Sequence, residues 1–136
     1  MTVEVLDSWA LMAWLGDEKP AVDSVQQFLD RADAGAILLY MSAINAGEIY
    51  YLLAKRRSKA AAEKWWEETL PALPIRLELP NLNEIREASR LKGRYPISYA
   101  DAFAAGLAMK YSTRLTTGDP EFQTLERLRL NWIGAK

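Results

Sequence analysis

Four carboxylates scattered along the chain, Asp7, Glu48, Asp101 and Asp119, are the groups with which this sequence could do chemistry. The 136 residues include no histidine and no cysteine. That removes the imidazole base, the Ser-His-Asp triad, the thiolate nucleophile, disulfides and histidine or thiolate metal sites. Chemistry near neutral pH is left to carboxylates, lysine, tyrosine or a metal held by oxygen. A hard cation such as Mg²⁺ or Mn²⁺ suits an all-oxygen site. Carboxylates gathered within a few ångströms repel one another, and a cation resolves that repulsion. The same cation supplies a Lewis acid and an acidified water, which in-line hydrolysis of a phosphodiester requires. The net charge of -1 neither advertises a polyanionic ligand nor excludes a local basic patch.

The elements that must position these acids alternate between strand and helix. Short apolar runs at residues 3–6, 36–41, 75–79 and 114–117 read as strands, with an edge strand at 130–133. Between them the patterning predicts helices over 8–15 (closed by Gly16), 20–33, 42–57, a stretch from 58 that stops before Pro71 and Pro74, 82–93, 99–111 and 120–127. Short connections between alternating elements imply one three-layer α/β/α domain with a mostly parallel sheet, spanning residues 1–136. The length suits one such domain, and the 50% hydrophobic content supplies its core. No apolar run approaches the roughly 20 residues of a membrane span, and no signal-peptide pattern is visible. The expectation is a soluble, cytoplasmic protein.

In parallel sheets ligands bind where strand tips meet helix starts. Asp7 and Asp119 directly follow predicted strands, Asp101 lies in a first helical turn, and Glu48 is one turn into the helix after the second strand. Each of three has an ordinary explanation. Asp7 and Asp119 read equally as N-caps, and Asp101 as a dipole-favoured acid. Glu48 stands apart, because Ile44, Tyr51 and Leu52 share its helical face and offer it no evident partner. Asn45, one turn earlier, could orient it.

The stretches VLDSWALMAWL (5–15), SAINAGEIYYLL (42–53), ISYADAFAAGLAM (97–109) and LTTGDPEF (115–122) resemble, in order, the successive motifs of PIN-domain ribonucleases. They look most like the VapC-type toxins of toxin–antitoxin pairs. The resemblance implies a PIN-like fold, one or two Mg²⁺ or Mn²⁺ ions on Asp7, Glu48, Asp101 and Asp119, and RNA cleavage by a metal-activated water. It places helper positions at Ser8, Asn45 and Thr117. It also implies a homodimer and a cognate antitoxin whose C-terminal segment lies in a groove, with Trp14, Trp65 or Trp66 as aromatic contacts.

The cluster Lys55, Arg56, Arg57 and Lys59 reads as a solvated helix end that complements the dipole. Lys92 and Arg94 lie nearer Asp101 in sequence and are candidates for phosphate contacts. Two alternatives to the toxin stay within the PIN pattern: an RNA-processing nuclease without an antitoxin, and a non-catalytic RNA-binding or assembly module. The complete set of acids argues against the second. A dehalogenase-like phosphatase also has an aspartate after its first strand, but it needs a second acid where Trp9 stands.

Overall fold

The computed structural model describes residues 1–135. Its elements run β1 (Thr2–Leu6), α1 (Ser8–Leu15), α2 (Ala21–Asp33), β2 (Ile37–Ser42), α3 (Ala43–Arg56), α4 (Lys59–Lys64), a π-helical turn (Trp65–Thr69) and α5 (Leu70–Ala72). They continue with β3 (Arg76–Glu78), α6 (Leu82–Arg94), α7 (Tyr99–Lys110), β4 (Leu115–Thr117), a 3₁₀ turn (Pro120–Thr124) and β5 (Leu130–Trp132).

All strand pairs are parallel, in the order β3-β2-β1-β4-β5. Consecutive residues of β1 explain the three layers. Leu6 points into a core built with Leu11, Val25, Leu39, Met41, Ile49 and Trp65, on the side of α1 to α4. Val5 points into the opposite core with Ile97, Phe103, Leu107, Leu115 and Phe122, on the side of α6 and α7. A strand buried on both faces must be apolar throughout, and each large side chain removed from water contributes roughly 1.5–3 kcal/mol. The chain winds outward to one side through β2 and β3, then returns to the other through β4 and β5. The order therefore reverses between β1 and β4, where open parallel sheets form their binding crevice.

Two expectations need correction. The helical stretch from residue 58 does not stop before Pro71; it widens into the π turn and continues through Pro71 in α5. Pro71 stands in the first turn of α5 directly after the π turn, whose wider winding already interrupts the i→i−4 ladder that its missing N–H would break. The expected helix over 120–127 is only the 3₁₀ turn Pro120–Thr124. Phe122, Leu125 and Leu128 are all buried, and their three-residue spacing fits a tighter winding than the 3.6-residue α-helix. Among the described residues, no helix is long and apolar enough to cross a membrane.

Candidate active site

Asp7 and Asp119 leave the sheet at the carboxyl ends of β1 and β4, on either side of the reversal in strand order. The register sets Leu6 against Thr116, so the next residues, Asp7 and Thr117, lie side by side. The Thr117 hydroxyl donates to Asp7 Oδ2 at 2.5 Å, and Asp119 N–H donates to Thr117 Oγ1 at 3.0 Å. Gly118 between them is required by close approach. A Cβ there would lie 2.3–2.6 Å from the Trp9 ring, so any side chain would displace the indole or the loop. Neither Gly118 nor Trp9 stood out in the sequence, because the signal is a clash between segments far apart in the chain.

The ordinary capping roles are real. Asp7 Oδ1 accepts from Ala10 N–H at 2.9 Å at the start of α1, and Asp119 Oδ1 accepts from Glu121 N–H at 3.0 Å. A cap does not need burial, however, and Asp7 is only 1% exposed. Loss of water pushes its carboxyl from the ordinary 3.8 up to about 7. The charges of Asp119 and Glu48 add to the rise, against the Thr117 and Ala10 hydrogen bonds. Asp101, in the first turn of α7, is raised to about 8, first by burial, then by Glu121, Asp119 and Asp7. Ser98, whose Oγ accepts from Asp101 N–H at 3.1 Å to cap α7, opposes that rise. Asp7 is thus electrostatically linked to each of the other three acids, Glu48, Asp101 and Asp119.

Carboxylate oxygens of Asp101, Asp119 and Glu121 lie within 4.8 Å of one another. Glu121 was not singled out from the sequence; the tight turn after Pro120 folds it back beside Asp119. Asp7 lies outside this tight trio but feels the charges of Asp119 and Glu48.

Glu48 sits on a different surface from the apolar one its neighbours in sequence predict. Its helical face is not a core face, since Ile44 and Tyr51 are well exposed, and Glu48 itself is half-buried. It also has a local partner: the Tyr51 hydroxyl donates to Glu48 Oε2 at 3.3 Å. Asn45 does not orient Glu48 by a hydrogen bond. Its amide donates to the Ala100 carbonyl at 3.1 Å, which ties α3 to α7 just before Asp101. Ser8 Oγ donates to the Asn45 carbonyl at 3.2 Å, which ties α1 to the same residue. These two helpers lock together the helices that carry three of the acids.

The donor set fits a divalent cation. It consists of oxygen ligands alone, and no Lys or Arg forms an ion pair with any of the four acids among the described residues. Asn45 Oδ1 is buried and has no hydrogen-bond partner there. Leaving such an oxygen unmatched costs on the order of 1–3 kcal/mol. Crowded acids with no paired cation among the described residues are what a hard cation satisfies.

The other candidates fall elsewhere. Trp65 is 1% exposed and donates from Nε1 to the Ala46 carbonyl, which makes it a core residue. Adjacent helical residues diverge by about 100°, which leaves Trp66 facing outward, edge-on to Tyr50. Trp14 is half-buried, with Nε1 donating to Gln26 Oε1 at 2.8 Å. Arg94 sits over the Tyr95 ring and lines a groove of about 580 Å³ between α6 and α7, to which none of the four acids contributes.

The PIN domain family matches residues 5–128, and the chain belongs to that family. The fold is shared with solved VapC-type structures at low sequence identity. One is the VapBC2 complex of Rickettsia felis bound to a promoter DNA fragment, with TM-score 0.70 and 15% identity over 96% of this chain and 98% of that one. VapBC-1 of Haemophilus influenzae gives TM-score 0.66 and 21% identity over 96% and 98%. VapC20 of Mycobacterium tuberculosis, a sarcin-ricin-loop-cleaving toxin, gives TM-score 0.65 and 18% identity over 92% and 95%. No curated protein sequence matches the chain.

Proposed function

We propose that this protein is a divalent-metal-dependent endoribonuclease and the toxin of a toxin–antitoxin pair. The observation that carries the nuclease reading is the uncompensated acid cluster at the sheet's reversal point, with Asp7 and Asp101 buried and no cation paired to them among the described residues. Family membership supports it, because PIN domains are nucleases. Similarity to solved VapBC structures supports an antitoxin partner; a homodimer acting in the cytoplasm completes the proposal.

Asp7, Asp101, Asp119 and Glu48 would hold the Mg²⁺ or Mn²⁺, with Glu121 as a further oxygen donor beside Asp119 and Asp101. When bound, such an ion supplies a Lewis acid and lowers the pKa of its water. The chain's own part is positioning. Thr117 donates to Asp7 and fixes the orientation of that carboxylate. Ser98 caps α7 and aims Asp101. Asn45 and Ser8 hold α3, α7 and α1 in register around the acids. This economy explains how the chain cleaves a phosphodiester without histidine.

The test is cleavage of RNA by antitoxin-free protein in Mn²⁺ or Mg²⁺. Asp7→Asn and Asp101→Asn are expected to reduce the rate by at least about 100-fold, the scale of removing one group that stabilises transition-state charge. Asn keeps an acceptor oxygen for the Ala10 N–H cap, and its amide can donate to the Thr117 hydroxyl oxygen in place of accepting from it, so the fold should survive. Full cleavage by either variant would exclude the metal-site reading. Release of phosphate from small monoesters without RNA cleavage would favour a phosphatase. For the toxin role, expression without antitoxin is expected to arrest growth, and unaffected growth would remove that assignment.

A further inference from the structure

Tyr51 is held beside the acids with its ring in solvent, and its surroundings point to a second role for α3. Ile44, Glu48, Tyr51 and Lys55 follow one another at i, i+4, i+7 and i+11, a single stripe along the helix. The stripe starts at the active site: Glu48 accepts from the Tyr51 hydroxyl, and the Asp101 charge also reaches Tyr51. It then passes an aromatic ring 47% exposed, over which Lys55 Nζ sits 5.7 Å from the centroid. It ends in Lys55, Arg56, Arg57 and Lys59, all exposed and without an ion-pair partner among the described residues.

Complementing the helix dipole accounts for a cation or two at a helix end. It does not account for a large exposed aromatic one turn before them, with its hydroxyl tethered to an active-site acid. The Glu48 bond fixes the ring where a mobile surface tyrosine would swing freely. Glu48 and Lys55 are about 10 Å apart along the helix axis. One strand of nucleic acid engaged at the acids can therefore reach the ring and the cations together.

We infer that the Tyr51 ring is a stacking platform for a base of single-stranded RNA flanking the scissile phosphate, with Lys55 and Arg56 neutralising the backbone beyond it. The chemistry is that of sequence-tolerant single-strand binding, in which an aromatic face holds a base and a basic track follows the phosphates. Tyr51 is thus a substrate-positioning residue. The assignment rests on the nuclease reading above.

The experiment uses an Asp7→Asn parent, expected to leave RNA intact, and a fluorescein-labelled 12-nucleotide single-stranded RNA of mixed sequence. Affinity is read by anisotropy in Mg²⁺, with thermal melting to confirm folding. Tyr51→Ala is expected to weaken binding roughly 5- to 150-fold, the range for losing one stacked base. Tyr51→Phe and Tyr51→Trp, which keep a ring but lose the tether to Glu48, should bind clearly more tightly than Tyr51→Ala. Replacing Lys55 and Arg56 with Ala should reduce the salt dependence of log affinity by roughly 0.7 per cation. Unchanged affinity in Tyr51→Ala overturns the inference and leaves the face to a protein partner. Equal loss in Tyr51→Ala and Tyr51→Phe also overturns it, because the hydroxyl bond to Glu48 would then be the cause. RNA cleavage by the Asp7→Asn parent would instead defeat the metal-site reading, with the binding comparison still standing.

Discussion

Two buried carboxylates three residues apart, Glu4 within β1 and Asp7 just past its end, meet opposite surroundings. Glu4, 3% exposed, receives both arms of the Arg114 guanidinium, Nε at 3.1 Å and Nη2 at 3.0 Å. Asp7, at the other end of the strand and 1% exposed, receives a hydroxyl and a backbone N–H but no cation. The same burial therefore yields a closed structural ion pair at one edge of the sheet and an unmet charge at the other. Near Asp7 the neighbours are further acids, so burial raises its pKa where a guanidinium would lower it. An evolved core tolerates such a site when something outside the chain completes it. The contrast marks the carboxyl edge as the working end and the amino edge as structural.

Three perturbations would sharpen or break that contrast. The largest effect is expected at Thr117, the side chain that fixes Asp7. Thr117→Val keeps the shape and removes the donor, and should lower RNA cleavage about 10- to 100-fold, as loss of a group that orients a metal ligand does. Cleavage at the parent rate would mean that the hydroxyl only fills space. Next comes Arg114→Leu, which turns Glu4 into a second unmatched acid. Urea unfolding should show a loss of about 1–3 kcal/mol, towards the lower end because Arg114 is 42% exposed, with cleavage unchanged. A loss of cleavage without destabilisation would place function at the wrong edge.

The smallest effect is a pH dependence. Asp7 has a folded-state pKa raised from 3.8 to about 7, so the folded state holds the proton more tightly than the unfolded chain. The stability this gives is complete below 3.8 and is lost as pH rises through about 7. Without divalent ions, the melting temperature relative to Asp7→Asn should fall across that window. Parallel curves for the two proteins would show that Asp7 is not a strained acid.

Much of the fold was legible because it is local. Apolar runs, Ser42 and Ser98 caps and short loops place the strands and most helices within a residue or two. The failures arose where neighbours in space decide. Pro71 reads as a stop, yet it occupies a first turn that tolerates it. The 120s read as an α-helix, yet burial of Phe122, Leu125 and Leu128 winds them tighter. At the site, residue types and order along the chain selected the acids, but the physical ranking came out inverted. Glu48 was prominent because its helical face is apolar, and that face proved to be exposed. Asp7 and Asp101 resembled ordinary caps, and they are the buried, uncompensated pair. Burial of a cap by a distant strand or helix leaves no local trace in sequence.

The central claim is that the unmet charge at the carboxyl edge is completed by a divalent cation, and calorimetric titration of the purified protein with Mn²⁺ near neutral pH tests it directly. With Asp7 raised to about 7 and Asp101 to about 8, protons must leave as the ion binds. The expected result is saturable binding whose heat varies with buffer ionisation enthalpy, reporting proton release, and which disappears in Asp7→Asn/Asp101→Asn. Absence of binding in the parent, or equal binding in that double variant, would contradict the account.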